Sequence, residues 1–312
     1  MRILVTGGTG YLGRAIVSAL LRRGHEPIVF ARRPGAVEGA RAVAGDVTDA
    51  AGLARAARDA DAICHSAALV SVWQRDASRF DAVNVGGLRH AIAAAMAAGH
   101  DRFACTSSFL ALPPQGSQTP IRANDYQRTK AAADAVAAEA AGRGFPIVRL
   151  YPGVVYGPGE YRDGNLVGRL VRDQITGRLP AIVGGSRIWS FSWIDDVAAA
   201  HVAALERAPG AARFMLGGEN RPQRDLFALV RASTGARLPR DVPPSLVRVL
   251  GATDLLRARL TGRDPQVTPA TVAIFEHDWP LDSTPATREL DYRITPLAEG
   301  VARLLASLDY GA

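Results

Sequence analysis

Tyr126 and Lys130, a tyrosine and a lysine four residues apart, are the pair whose types and spacing point most directly to chemistry. Four residues apart in a helix, the two side chains lie on one face. A phenol has an ordinary pKa of about 10. A neighbouring ammonium favours the phenolate, so we expect Lys130 to lower the pKa of Tyr126 toward neutral pH. Such a pair can give a proton to a carbonyl oxygen as the carbonyl is reduced.

The use of lysine in this chain strengthens that interpretation. Lys130 is the single lysine among 37 lysine and arginine residues, so the chain uses arginine wherever a solvated positive charge suffices. A lysine ammonium is a compact donor whose pKa responds to its surroundings. The alternative is an exposed helix pair without a role in chemistry.

A hydroxyl group for the same carbonyl oxygen comes from residues 106–108, Thr-Ser-Ser, which close a predicted strand. A donor placed there can hydrogen-bond the oxygen together with Tyr126. Ser108 is the first candidate and Ser107 the second. A turn-forming serine is the alternative.

A glycine-rich turn follows the first predicted strand, with the sequence TGGTGYLG at residues 6–13. Gly7, Gly10 and Gly13 permit a tight turn, a close approach to a pyrophosphate and close packing of the next helix. Tyr11 and Leu12 lie in the same turn. The context of strand, turn and helix predicts a dinucleotide-binding site.

The end of the second predicted strand bears on the choice of cofactor. A carboxylate at this place would bind the ribose 2′-hydroxyl, whereas an arginine accommodates a 2′-phosphate. The chain has Arg32 and Arg33 here and no carboxylate. We therefore predict NADP(H) in preference to NAD(H), with Arg32 as the main phosphate ligand. The alternative is that both arginines are solvated surface charges.

The elements that must position these residues alternate between strand and helix patterns through the first half. Strands are predicted at 3–5, 27–30, 42–44, 62–65, 103–106 and 147–150, and helices at 12–23, 50–57, 80–98 and 126–142. This alternation predicts an α/β fold, a doubly wound parallel sheet of the Rossmann type.

After residue 150 the pattern loosens, with glycine and proline punctuation, a strand at 213–216 and a helix at 223–234. We predict an NADP-binding Rossmann domain at 1–150. Residues 151–312 are predicted to be mainly a smaller substrate-binding lobe, with some segments returning to the sheet.

Composition excludes several other classes of protein. The net charge is +7 and the pI about 10.0, but the arginines are scattered, so we expect no nucleic acid as partner.

Cys64 and Cys105 lie inside predicted strands, which indicates that both pack in the core of a protein from a reducing compartment. The chain shows no leader or membrane-spanning run, so we expect a cytoplasmic protein without a membrane partner. His65 and His201 lack further ligands at metal-site spacing, and we expect no metal.

Taken together, the motifs resemble the extended short-chain dehydrogenase/reductase family, that is, the NAD(P)-dependent epimerase/dehydratase family, and within it the dihydroflavonol-4-reductase-like branch. The motifs are TGGTGYLG at 6–13, GDV at 45–47, HSAA at 65–68, NVGG at 84–87, TSS at 106–108, YQRTK at 126–130, RLYP at 149–152, VYGP at 155–158, IDDVA at 194–198 and GGEN at 217–220.

The resemblance implies further site residues. Asp46 and Val47 would flank the adenine, and Ala67 and Ala68 would line the nucleotide. Lys130 would also hold the nicotinamide ribose, and Asn84 would support the active-site geometry. Pro152 and Val155 would lie near the nicotinamide. The resemblance also implies a homodimer formed through the helices at 80–98 and 126–142.

One departure from the family pattern bears on the substrate. Sugar-nucleotide enzymes of this family carry an Arg-Asp whose arginine grips the substrate diphosphate, and this chain has Trp189-Ser190 there. Losing that bidentate contact favours a small lipophilic or aromatic ketone or aldehyde. The short connection between residues 108 and 126 suggests an open pocket. Candidate pocket residues, for which core packing is the alternative, are Trp73, Phe109, Tyr156, Tyr161, Trp189 and Trp193.

The leading hypothesis is therefore an NADP(H)-dependent oxidoreductase that reduces such a carbonyl to an alcohol with Ser108, Tyr126 and Lys130. An NAD-dependent sugar-nucleotide epimerase or dehydratase is the alternative. A non-catalytic NADP(H) sensor is the third hypothesis.

Overall fold

The computed structural model describes residues 1–35, 37–161, 164–207, 210–265 and 267–308. Twelve strands occur in these residues. They are β1 Arg2–Thr6, β2 Glu26–Ala31, β3 Arg41–Ala44, β4 Ala62–His65, β5 Phe103–Thr106, β6 Ile147–Pro152, β7 Val154–Tyr156, β8 Ala181–Ile182, β9 Ile188–Trp193, β10 Ala212–Leu216, β11 Glu219–Pro222 and β12 Arg240–Asp241.

Twelve α-helices are found in the same residues. They are α1 Tyr11–Arg22, α2 Ala50–Ala57, α3 Ser78–Phe80, α4 Gly87–Ala98, α5 Asp125–Gly142, α6 Leu166–Ile175, α7 Ile194–Arg207, α8 Gln223–Thr234, α9 Pro244–Thr261, α10 Pro269–Phe275, α11 Thr284–Leu290 and α12 Leu297–Ser307. A π-helical turn, Asp81–Gly86, joins α3 to α4, and a short 3₁₀ helix, Phe109–Ala111, follows β5.

The centre of the molecule is a seven-stranded parallel sheet in the order β10-β6-β5-β4-β1-β2-β3. Its middle strands are buried on both faces, as continuous apolar strands require. One face packs against α1, α7 and α11, and the other against α2, α4 and α5. The predicted doubly wound Rossmann fold is confirmed.

The second half of the chain contributes to this sheet and also builds its own core. The strand predicted at 213–216 is β10, which pairs with β6 at the edge of the sheet. A second sheet, β11-β9-β7, packs with α6, α8 and α12 around a third apolar cluster. The Gly- and Pro-rich sequence did not predict β9 or α7.

The predicted helix at 80–98 is interrupted by the π-helical turn, which contains Asn84. A π turn holds one more residue per hydrogen-bonded ring than an α-helix and often occurs at functional sites. Here it brings the buried Asn84 side chain to the loop after β4, where its Oδ1 atom accepts a hydrogen bond from Leu69 N at 2.7 Å.

Within the described residues, no helix combines the length and apolar character needed to span a bilayer. The same residues contain no group of three or more His, Cys, Asp or Glu side chains arranged to hold a metal ion.

Candidate active site

The turn between β1 and α1 lies directly against the loop after β4. Gly7 has a φ of +75°, and a Cβ atom there would lie 2.7 Å from the backbone nitrogen of Ala67. A Cβ atom on Gly13 would overlap the Gly7 carbonyl oxygen. The glycines at these two positions are therefore required by a tight turn and by close helix packing.

Gly10 is less crowded than Gly7 and Gly13. Its N–H donates to the Gly7 carbonyl at 2.9 Å, and a Cβ atom on Gly10 would meet only that carbonyl oxygen, at 3.2 Å. No side chain caps the N-terminus of α1, and no acidic residue lies in its first turn. Free N–H groups and the positive end of the helix dipole thus face the space beside Gly10, which fits the pyrophosphate of a dinucleotide.

Arg32 and Asp46 lie side by side where β2 and β3 end. The exposed Arg32 guanidinium is 4.0 Å from the Asp46 carboxylate, and Asp46 Oδ1 accepts from the backbone and hydroxyl of Thr48 at 2.9 Å each. The Val47 side chain is buried and packs against Gly87 at the start of α4. Arg33 is also exposed. A cationic side chain therefore stands at the carboxyl edge of the sheet, as the sequence predicts.

Asn84 joins the loop that contains Ala67 and Ala68 to the helix that carries the catalytic candidates. Its amide Nδ2 donates to the Thr129 hydroxyl at 3.0 Å, while its Oδ1 atom accepts a hydrogen bond from Leu69 N. Thr129 lies on α5, between Tyr126 and Lys130. Asn84 is thus placed to fix the distance between the nucleotide loop and α5.

Ser108, Tyr126 and Lys130 come together at the carboxyl end of β5. The Lys130 ammonium donates to the Thr106 carbonyl at 3.0 Å, and Ser108 lies near enough to the Tyr126 phenol to influence its pKa. Helix α5 begins at this place because Asn124 caps it, accepting from Gln127 N at 2.8 Å. The structure therefore brings the three predicted side chains to one edge of the sheet.

Burial dominates the protonation of this group. It lowers the pKa of Lys130 to about 8, against an opposing influence from Cys105 and Asp134. Burial raises the pKa of Tyr126 to about 12, and the neighbouring Ser108 side chain acts in the opposite direction. The expectation that Lys130 lowers the pKa of Tyr126 is wrong for this arrangement, because desolvation of the phenol prevails and Ser108 is the group that acts on it.

The side chain of Ser107, the second serine candidate, points into a separate polar network. Its hydroxyl donates to Asp134 Oδ1 at 3.1 Å, and Tyr151 donates to the same oxygen at 2.6 Å. The Arg149 guanidinium lies 3.7 Å from the other carboxylate oxygen. The sequence analysis did not single out Asp134, although its position four residues after Lys130 places it on the same helix face.

Two of the three buried histidines in the described residues, His65 and His201, lie behind the catalytic candidates. His65 Nδ1 is 2.9 Å from the Thr6 hydroxyl, and His201 Nε2 is 2.8 Å from the Thr106 hydroxyl. Burial lowers their pKa values to about 3 and about 4, with the Lys130 charge also lowering that of His65. Both rings are therefore neutral at pH 7 and packed against the strands that carry the site.

Three of the six predicted pocket residues are core residues, which corrects that part of the prediction. Tyr156, Trp189 and Trp193 have 0%, 2% and 3% of their surface exposed. They belong to the third apolar cluster, where the Trp189 ring packs 5.0 Å from that of Phe275. Aromatic side chains on the inner face of a small sheet bury large areas there. Trp189 thus lies inside the lobe and does not form an exposed wall.

The other three pocket candidates are partly exposed. Phe109 follows Ser108 directly and packs edge to face against Trp279 with ring centroids 5.2 Å apart, a contact that the sequence analysis did not predict. Tyr161 lies beneath the Arg172 guanidinium at 4.7 Å, and Trp73 lies in the loop after β4. A role in substrate binding for these three stays a prediction.

The remaining predicted cofactor residues lie where the two halves meet. The Tyr11 hydroxyl donates to the Gly157 carbonyl at 2.9 Å, which links the glycine turn to the second half. Leu12 packs partly buried on the first core. Pro152 ends β6, and the partly buried Val155 lies on β7.

Comparison with known proteins shows where this architecture occurs. The model of the NAD dependent epimerase/dehydratase family matches residues 3–217. "2-Alkyl-3-oxoalkanoate reductase" of Stenotrophomonas maltophilia is 32% identical, over 98% of this chain and 99% of its own. "Sterol demethylase protein B" of Methylococcus capsulatus is 31% identical over 93% of each chain. A "putative dihydroflavonol 4-reductase" of Synechocystis is 29% identical, over 96% of this chain and 92% of its own.

Solved structures share the fold over almost the full length. The protein gox2253 superposes with a TM-score of 0.80 at 28% identity, covering 98% of this chain and 97% of its own. MoeE5, solved with UDP-glucose and NAD, has a TM-score of 0.78 at 23% identity and 98% coverage of both chains. The second likeness is evidence for the fold alone.

Proposed function

Because this chain belongs to the NAD-dependent epimerase/dehydratase family, we propose that it is an NADP(H)-dependent oxidoreductase that reduces a lipophilic or aromatic ketone or aldehyde to an alcohol. The observation that carries the proposal is the grouping of Tyr126 with Ser108, together with Lys130 held on the Thr106 carbonyl at 3.0 Å. The glycine turn and the family support a nicotinamide cofactor.

A bound nicotinamide would supply the hydride for the carbonyl carbon. In the proposed reaction the Ser108 hydroxyl donates a hydrogen bond to the carbonyl oxygen and polarises it. Tyr126, whose pKa of about 12 keeps the phenol protonated at neutral pH, gives its proton to that oxygen as negative charge develops. Lys130, with a pKa of about 8, is charged at pH 7 and would hold the nicotinamide ribose, and solvent returns a proton to Tyr126 after the reduction.

Two observations favour an apolar substrate over a sugar nucleotide. The position at which sugar-nucleotide enzymes of the family carry a diphosphate-binding arginine is Trp189, buried in the lobe. The names of two relatives, "2-alkyl-3-oxoalkanoate reductase" and "3-beta-hydroxysteroid dehydrogenase" of Mycolicibacterium neoaurum, refer to alkyl-substituted and steroid substrates. NAD that stays bound through purification, with turnover of a UDP-sugar, would favour the epimerase alternative instead.

The proposed proton donor is tested by Tyr126→Phe. With a panel of alkyl and aryl ketones and aldehydes, we expect kcat to fall by about 10²–10⁴-fold, as loss of a general acid does. NADPH binding, followed by fluorescence titration, should stay nearly unchanged. Tyr292→Phe, which changes a tyrosine buried in the first core cluster, serves as a matched control and should keep most of the activity. A Tyr126→Phe enzyme with wild-type kcat would refute the assignment.

The cofactor preference is tested by Arg32→Ser with Arg33→Ser as its matched control. A charge-assisted contact with the 2′-phosphate is worth about 1.5–3 kcal/mol. We therefore expect the KM for NADPH to rise about ten-fold or more in Arg32→Ser while the KM for NADH changes little. Arg33→Ser should leave both constants close to wild type. Equal changes for the two cofactors in Arg32→Ser would contradict the proposed phosphate contact.

A further inference from the structure

Helix α9 presents an apolar face to solvent, which we call the outer face. It consists of Leu246, Val249, Leu250, Leu256 and Leu260, whose exposed fractions run from 53% to 78%. These are five of the ten exposed large apolar side chains in the described residues. At 3.6 residues per turn they lie within an arc of about 120°. Concentration on one face of one helix distinguishes them from scattered surface leucines.

The rest of the lobe packs against the opposite side of α9 and cannot cover the outer face. Gly251 and Ala258 are the buried residues of the helix, and a Cβ atom on Gly251 would lie 3.0 Å from the backbone of Thr268. Small residues thus let α10 approach closely on the inner side. The large aliphatic side chains point away from this contact.

Arginines lie in the border of the outer face and, in the case of Arg257, within its arc at the same helical spacing. The segment 244–264 contains four, Arg248, Arg257, Arg259 and Arg263, against two aspartates, Asp254 and Asp264. Arg248 pairs with Glu276, and Arg257 with Asp254. Among the residues that the structure describes, Arg259 and Arg263 have no ion-pair partner, and both are exposed. The border therefore carries a net positive charge.

We propose that α9 is a membrane-docking helix whose outer face inserts into the surface of an anionic lipid bilayer. Aliphatic side chains flanked by arginines match the acyl boundary and the acidic headgroups of such a surface. A second copy of this chain is less suited, because it would bring one positive border against another, and the face has no aromatic residue to anchor a protein interface. The proposal replaces the expectation that the protein has no membrane partner.

The position of α9 suits delivery of an apolar substrate, a consequence that rests on the proposed function. Its C-terminal end lies beside the loop after β4, where Arg75 Nη1 is 3.9 Å from the Cβ position of Gly262. That loop leaves the sheet at the carboxyl edge, where ligands of such folds bind. A lipophilic carbonyl compound dissolved in the bilayer would reach the site without crossing much water.

The test is cosedimentation of the full chain with vesicles of phosphatidylglycerol and phosphatidylcholine, and with vesicles of phosphatidylcholine alone. We expect binding to the anionic vesicles that weakens as salt is raised. Leu256→Glu/Leu260→Glu should weaken it about ten-fold or more, because two charges would enter the acyl boundary. Ile294→Glu, which changes an exposed apolar residue outside α9 and outside the helices of the expected homodimer, is the control and should bind like the wild type.

Equal vesicle binding by the double variant and the wild type, or no binding by the wild type, would overturn the proposal. A wild-type dimer in sedimentation equilibrium that the double variant loses would assign the face to a second copy instead. Circular dichroism and Tm confirm that the variants are folded. Reduction of a water-soluble ketone without vesicles should be the same in both proteins. Vesicle binding by a protein that reduces no carbonyl would refute the proposed function and leave the docking helix standing.

Discussion

At the scale of single residues, Lys130 shows most clearly what the site costs the protein. Its side chain is only 7% exposed and its pKa is lowered to about 8 by burial, with the Thr106 carbonyl as its hydrogen-bond acceptor. An ammonium that is harder to protonate in the folded protein than in the unfolded chain opposes folding. The protein therefore retains the buried Lys130 charge although that charge lowers the stability of the fold.

Lys130→Met is expected to stabilise the fold at pH 7. Between pH 8 and the unfolded value near 10.5 the unfolded chain binds more protons, so wild-type stability rises with pH across that window. Removing the buried charge should raise the free energy of unfolding at pH 7 by about 1–3 kcal/mol. The advantage should shrink toward zero as pH rises through that window. Urea unfolding of both proteins at pH 7 and pH 9.5 measures it, and a less stable variant at pH 7 would contradict it.

The pKa of Tyr126 depends on a neighbouring residue that the spacing between Tyr126 and Lys130 does not reveal. The four-residue interval correctly predicts a shared helix face, but the group that lowers the pKa of the phenol is Ser108, on another element. Ser107, adjacent in sequence, donates to Asp134 instead. One step along the chain after a strand reverses the direction of a side chain, so the two serines serve different networks.

At the scale of elements, the glycines of the β1–α1 turn have different structural roles, which the sequence motif does not distinguish. Gly13 is needed because any Cβ atom would overlap the Gly7 carbonyl, whereas a Cβ atom on Gly10 would meet that oxygen at 3.2 Å, a tight contact that a small shift relieves. Gly10 also has a φ of −77°, which every residue can adopt. Its lack of a side chain therefore serves the space at the helix N-terminus and not the fold.

Gly10→Ala and Gly13→Ala form a matched pair that separates these tasks. Gly13→Ala should lose about 1–3 kcal/mol of stability, as overpacking does. Gly10→Ala should keep nearly its wild-type Tm and yet bind NADPH about ten-fold more weakly or worse, because the methyl group enters the space for the pyrophosphate. Thermal unfolding and fluorescence titration measure the two effects. Full NADPH affinity in Gly10→Ala would mean that the phosphates bind elsewhere.

At the scale of the whole molecule, the two halves of the chain share one core. Helix α7, from the second half, packs into the same cluster as β1 and α1, and β10 extends the sheet beside β6. Glu206 on α7 contacts Arg23 at 2.6 Å and His25 at 2.9 Å, across the halves. The predicted division at residue 150 thus does not coincide with a boundary between two separate cores.

We therefore expect the chain to unfold in one cooperative transition. Three of the four tryptophans, Trp189, Trp193 and Trp279, lie in the second half, so their fluorescence reports mainly on that half. Far-UV circular dichroism reports on all helices. The two denaturation curves should coincide for a single cooperative unit. Separated curves would show that 151–312 unfolds independently.

The sequence by itself determined the Rossmann fold, the glycine turn and the spacing of the catalytic candidates. It could do so because local periodicity and turn chemistry act within a few residues: the strands at 62–65 and 103–106 and the helices at 50–57 and 223–234 have the predicted bounds. The docking of β9 and α7, the choice of Ser108 over Ser107, the burial of Trp189 and the exposure of α9 were decided only by the tertiary structure. Burial depends on which elements pack together, and an apolar residue carries the same letter whether it lies in the core or faces outward.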